Sequence, residues 1–184
     1  MTHLKAQLTE NNPELRPWRP LAGGQSNSIE PRHQFEWAWL LLTWVGRRER
    51  PDVAHQAVQL IEIAETYDID QKRGAAVNAL GDDFSVRDAF AKLWPQTERI
   101  KAWCAAFSHA QNIAEKDSAL ERLTAALASL RRFLDRSPKG LWWETMQPTD
   151  EFLPEAAKAS SFYHIMGAIL ALEDIVQGTE SKIS

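Results

Sequence analysis

Cysteine is nearly missing from this chain. Cys104 is the only one in 184 residues, so no internal disulfide can form. Positive charge is not in excess either. Lysine and arginine total 21 against 25 acids, the formal net charge is −4, and the basic residues are dispersed. Nothing resembles the basic stripe that neutralises phosphates, which argues against a nucleic-acid partner. Long apolar runs are absent as well. Each is short and interrupted by charge, so no membrane-spanning role is expected. The N-terminal "MTHLKAQLTENNPELRP" has no apolar core of signal-peptide length, and the expected location is cytoplasmic. What the sequence has in plenty is tryptophan, eight in all, within an ordinary 44% hydrophobic content. A tryptophan is bulky and needs a partner for its N–H. So many in one domain suggests that some line a cavity rather than fill a core.

Periodicity and helix-start signals predict an all-α chain. Pro31 stands where a first helical residue tolerates proline, and Phe35, Ala38, Trp39, Leu42 and Val45 then recur at helical spacing, giving a first helix over 31–47. Pro51 opens a second, amphipathic helix ending near Tyr67. "GAAVNALGDDFSVRDAF" breaks the helical period and fits a small hairpin or an irregular loop. A third helix is expected from Pro95, a fourth after Asp117, and a fifth over "ASSFYHIMGAILALEDIVQ". Between the last two lies a long aromatic loop, "SPKGLWWETMQPTDEFLP"; loops of that length in compact domains are often functional.

The second and fourth helices carry charge on one side, whereas the first, third and fifth are apolar around much of their circumference. About five antiparallel helices in two layers follow, with a 31–178 domain after a 1–30 extension. Short connections would make the first, third and fifth helices parallel, their N-termini at one mouth. His33, Glu36, Gln96, Glu98 and His164 all fall near that end, as does "GLWWETM".

Four segments in order, "EPRHQFEWAWLL", "KLWPQTERIKAW", "GLWWETM" and "ASSFYHIMGAI", resemble successive signatures of the C-terminal half of the N-acylglucosamine 2-epimerase superfamily, especially its mannose isomerase and mannose-6-phosphate isomerase-like branch. The resemblance covers residues 29–172. It implies a partial (α/α)6 barrel, a site for a monosaccharide or sugar phosphate, and aldose–ketose isomerisation or C2 inversion without a metal or redox cofactor. Two departures stand out. Arg32 occupies a place where the family usually has glycine, putting a long cation beside the proposed catalytic histidine. The family is also about twice this length, and the half that supplies another histidine with arginine, asparagine and tyrosine contacts has no counterpart here. Completion by a second copy or by a complementary N-terminal half is therefore expected, as are weak binding and slow or no turnover by the chain alone. The alternative is an inactive, truncated carbohydrate-binding relative.

Moving a proton between neighbouring sugar carbons through an enediol needs a base that titrates near neutral pH, which suits histidine. His33 is the expected base, with Glu36 one turn on to fix its tautomer or hold a hydroxyl. His164 is the expected acid or opposite proton partner. Trp94, Trp142 and Trp143 offer faces for a pyranose, Gln96 and Glu98 offer hydrogen bonds, and Arg32 is a further candidate contact. Plainer readings exist: Glu36 and Glu98 also suit a helix N-terminus. Trp37, Trp39, Trp44 and Trp103 recur at helical spacing and are expected to pack. A metal site of His33, Glu36 and His164 is disfavoured by the resemblance.

Overall fold

The computed structural model describes residues 28–46, 48–136 and 138–180, apart from the side chains at 28, 29, 32, 179 and 180; the expected 1–30 extension lies almost wholly outside them. Five helices carry the described chain: α1 (Pro31–Val45), α2 (Pro51–Tyr67), α3 (Leu93–His109), α4 (Ile113–Leu134) and α5 (Ala159–Glu180). Proline begins α1 and α2, where the missing N–H would be unsatisfied anyway. Pro95 falls in the first turn of α3, so that helix starts two residues before the expected point. Asn112 caps α4 by accepting the Glu115 N–H at 2.9 Å, and Glu115 reaches back to the Gln111 N–H at 2.7 Å. This reciprocal cap starts α4 ahead of Asp117.

The centre of the molecule is α3. It packs against α1 on one side, α5 on the other and α4 behind, while α2 covers α1 and also touches α3. Most of its circumference is therefore enclosed, and an unbroken run from Pro95 to Cys104 is buried. Gly46 at the end of α1, Ser108 and His109 at the end of α3, and Asp174 in the second half of α5 line one cavity. At the other end Trp94 of α3 meets His164 of α5. The inner layer α1, α3 and α5 thus runs parallel, with its N-termini together, as the helix alternation predicts.

Burying Arg99 in that centre requires partners. Its guanidinium grips Glu65 of α2 through Nε at 2.9 Å and through Nη2, and donates to the Gly74 carbonyl at 2.9 Å. Trp103 adds a 3.0 Å bond from Nε1 to the same carboxylate. This cluster pins α2 to α3. Beside it, Asp68 is wholly buried with neither carboxyl oxygen hydrogen-bonded, and burial pushes its pKa well up, helped by the neighbouring Glu65 charge.

The β content exceeds the single hairpin expected. Seven very short strands form three antiparallel ribbons among the described residues: β1 (Ser28–Ile29) with β4 (Ala79–Gly81) and β5 (Val86–Asp88); β2 (Ile69–Asp70) with β3 (Ala75–Ala76); β6 (Ala91–Lys92) with β7 (Thr145–Met146). The β4–β5 pair is the "GDD" hairpin, with a register shift between Ala79 and Leu80. In β6–β7, Ala91 faces Met146 and Lys92 faces Thr145, which fastens the aromatic loop to the start of α3. All three ribbons adjoin helix ends at the mouth and build its rim.

Two expectations about exposure change. Trp37 and Trp44, expected to pack, are 57% and 48% exposed, and with Leu40 they form an apolar edge on α1, whereas Trp103 is buried as expected. A second edge on α5 includes Phe162, Met166, Ile169 and Leu170. By length and composition alone, Ala159–Gly178 is apolar enough to cross a bilayer, contrary to the reading of short, interrupted runs. It nevertheless packs on α3 and turns His164 and Asp174 toward the inner groove, the pattern of an inner-layer helix.

Candidate active site

Helical spacing puts Trp94, Glu98 and Lys101 on one stripe of α3, and His164 of α5 closes against it. Glu98 is 1% exposed. One of its oxygens lies 3.1 Å from His164 Nδ1 and the other 2.6 Å from Lys101 Nζ. The Lys101 ammonium also sits 4.0 Å over the Trp39 ring of α1. The His164 ring meets the Trp94 ring edge-on, centroids 4.8 Å apart, and Tyr163 at 5.2 Å. Only a fifth of the His164 side chain is exposed, and its Nε2 takes no hydrogen bond from a described residue. The result is a half-buried imidazole held at Nδ1, flanked by an indole and backed by a buried carboxylate–ammonium pair. An imidazole so placed is able to take up or give a proton.

The aromatic loop is tied to the same corner by a residue that sequence reasoning missed. Glu144 is buried and accepts three hydrogen bonds: from Trp142 Nε1 at 2.7 Å, from the Lys158 N–H at 2.7 Å and from Ser161 Oγ at 2.8 Å. Its carbonyl also accepts the N–H of Leu93, the first residue of α3, at 2.9 Å. One side chain thus connects the loop to the first turn of α5. Trp142 stacks toward Phe162 of that helix, centroids 6.2 Å apart. Trp143 goes elsewhere. It stacks on Phe152 at 5.4 Å, carries the Arg136 guanidinium at 4.3 Å and donates to the Asp135 carbonyl, so it belongs to the seam with the end of α4.

Gln96 departs from its expected role as well. It is wholly buried; its oxygen accepts the Ala76 N–H at 2.8 Å and its nitrogen donates to the carbonyls of Ala76 and Lys92 at 3.0 and 2.9 Å. All of that hydrogen bonding splices β3 to α3, leaving no group directed at a ligand. His33 stands at the start of α1 with a half-exposed side chain. The carboxylate facing it is Glu30, 3.8 Å from Nδ1, and Glu36 makes no hydrogen bond or ion pair with it. Glu36 is half-buried on the next turn. Arg32 is helical, but its side chain lies outside the described residues.

Below His164 the groove continues as a cavity of about 180 Å³ lined by residues including Trp39, Thr43, Lys101, Cys104, Ser108 and Asp174. Burial pushes the Cys104 thiol up to about 12, with the Asp174 charge adding to the shift, so this cysteine is no nucleophile. Among the described residues no three His, Cys, Asp or Glu side chains gather where they could hold a metal ion.

Comparison with known proteins agrees with this architecture. Residues 6–168 match the N-acylglucosamine 2-epimerase (GlcNAc 2-epimerase) family. A mannose-6-phosphate isomerase of Rhizobium meliloti (strain 1021) is 42% identical over 160 residues, which are 87% of this chain and 41% of that protein. Among solved structures, a D-mannose isomerase superposes with a TM-score of 0.68 at 20% identity, covering 94% of this chain and 41% of the other. The cellobiose 2-epimerase from Spirochaeta thermophila DSM 6192 gives 0.72 at 16% identity, covering 96% and 49%. The likeness fixes the fold as part of an α/α barrel. This chain spans less than half the length of each of these relatives.

Proposed function

Because the chain belongs to the N-acylglucosamine 2-epimerase family, we propose that it carries part of the site of a sugar isomerase or epimerase acting on mannose-type aldoses. The observation that supports this reading most is the His164–Glu98 pair beside Trp94 at the mouth. In this reading Trp94 and Trp142 present ring faces to the sugar, while His164, held at Nδ1, offers Nε2 to it. His33 of α1, on the far side of α3, is the second proton-transfer group. One histidine removes the proton next to the carbonyl. The enediol forms, and a proton returns to the adjacent carbon for the ketose or to the opposite face for the epimer. Glu36 and Arg32 are proposed contacts to hydroxyl or phosphate groups. The location proposed is cytoplasmic.

The inner layer α1, α3 and α5 is open on the groove side, and its flanking helices carry the exposed apolar edges of Trp37, Leu40 and Trp44 and of Phe162, Ile169 and Leu170. A second copy or a complementary stretch of chain would cover these edges and supply further sugar contacts, and the isolated chain would bind weakly and turn over slowly. The test is product formation from mannose, mannose 6-phosphate and N-acylglucosamines with a chelator present. Slow conversion of one of them, lost on His33→Ala or His164→Ala, is the expected result. Binding without conversion would favour the carbohydrate-binding relative, and neither binding nor conversion would refute the sugar site.

A further inference from the structure

Lys101 is a buried charged member of the His164 cluster that the proposed chemistry does not use. Its side chain is only 6% exposed, and such a cation is costly to bury unless something requires it. Its stem runs under α5, where the nearest atom to a Cβ built on Gly167 would be Lys101 Cδ at 3.7 Å. Its head is fixed from two sides, by Glu98 Oε2 at 2.6 Å and by the Trp39 ring at 4.0 Å. A methionine would fill the same space without the desolvation cost.

We propose that Lys101 is a positioning residue that sets the tautomer of His164 through Glu98. The ammonium ion-pairs with one carboxylate oxygen, Oε2, while the other, Oε1, faces the imidazole. The carboxylate charge is already balanced before His164 is counted. The imidazole is therefore needed as a hydrogen-bond donor and not as a counter-ion. The neutral ring keeps its hydrogen on Nδ1, bonded to Glu98, and its lone pair on Nε2, which has no hydrogen-bond partner among the described residues. Trp39 completes the device: its ring face holds the ammonium from α1, so the packing of α1 on α3 feeds into the orientation of a group on α5. This inference rests on the reading of His164 as an acid–base group, but its test reads the imidazole directly.

The experiment is ring 15N NMR of the histidine-labelled chain at about pH 8.5, well above the ordinary imidazole range near 6.5. His164 is assigned by the signal lost in His164→Gln. The wild-type ring is expected as a single species protonated on Nδ1. Lys101→Met should change that signature to mixed tautomers, as Glu98 loses the partner that holds it, and Lys101→Arg should restore it. If Lys101→Met does not fold, Lys101→Gln is read in the same way. A wild-type ring protonated only on Nε2, or an unchanged signature in a folded Met or Gln variant, would overturn the proposal. Where turnover is measurable, Lys101→Met should lower kcat by about 100-fold with little change in KM. The two readings fail separately. A changed 15N signature in a chain with no sugar chemistry refutes the function alone, and turnover with an unchanged signature refutes the Lys101 role alone.

Discussion

Replacing Glu144 by alanine removes the acceptor that joins the aromatic loop to α5. Three donors lose their partner: Trp142 Nε1–H, the Lys158 N–H and Ser161 Oγ–H. A hydrogen bond to a charged group contributes roughly 1.5–3 kcal/mol net, and a donor left buried costs roughly 1–3 kcal/mol. Of the three residues only Ser161 is buried, Trp142 is half-buried and Lys158 is exposed, so water recovers much of the loss at the latter two. The expected destabilisation is therefore about 3 kcal/mol, well below three full bonds. Glu144→Gln keeps a carbonyl for one donor and should cost about 1 kcal/mol, chiefly the charge assistance. Urea unfolding measures both. Combining Glu144→Ala with Ser161→Ala should give a coupling of about 1 kcal/mol in a double-mutant cycle. A Glu144→Ala chain within about 0.5 kcal/mol of wild type, the usual range for neutral surface changes, would show that this carboxylate does not hold the mouth together.

Three further outcomes follow from the packing. Arg99→Met strands the Glu65 carboxylate between α2 and α3 and should cost about 3–5 kcal/mol by urea unfolding; a loss below about 1 kcal/mol would mean that Arg122, 3.9 Å away, substitutes for it. Burial first, and Glu65 second, raise the pKa of Asp68 in the folded chain, so its contribution is fully present below the unfolded value of about 4 and declines as pH rises toward the folded pKa. Asp68→Asn should flatten that decline in urea midpoints measured against pH, and parallel profiles would contradict the sign. Sedimentation should show concentration-dependent self-association of the chain through the α1 and α5 edges, weakened by Trp37→Glu or Leu170→Glu; a clean monomer at high concentration would count against it.

The helices were legible because each has an apolar face recurring at three and four residues or a proline at its start, as at Pro31 and Pro51, whereas the Asn112 cap that starts α4 before Asp117 was not read. The ribbons were not, since two or three residues cannot display an alternation, and only the "GDD" turn announced a hairpin. Of the expected site residues, Trp94, Glu98 and His164 lie together in the structure. Gln96 was misread because a glutamine near a mouth looks the same in sequence whether it faces a ligand or a backbone. Glu36 was paired with His33 by helical spacing, while Glu30, at the same three-residue spacing on the other side, is the neighbour. Lys101 escaped because lysine ordinarily lies on the surface. Its place seven residues after Trp94 and three after Glu98 on one helix face was the available signal. Trp37 and Trp44 read as core because periodicity reports an apolar face without reporting what covers it.

The central claim is that histidine on this layer moves a proton at sugar C2. The direct measurement is NMR of mannose incubated with the chain in D2O with a chelator present, following loss of the C2 proton signal of mannose and the appearance of deuterium at C1 of any ketose formed. Exchange above the buffer rate is predicted, falling by about 100-fold or more in His164→Ala, the scale on which a positioned acid–base group acts. Exchange that proceeds equally in His164→Ala, or ketose formed without any deuterium from solvent, would contradict it.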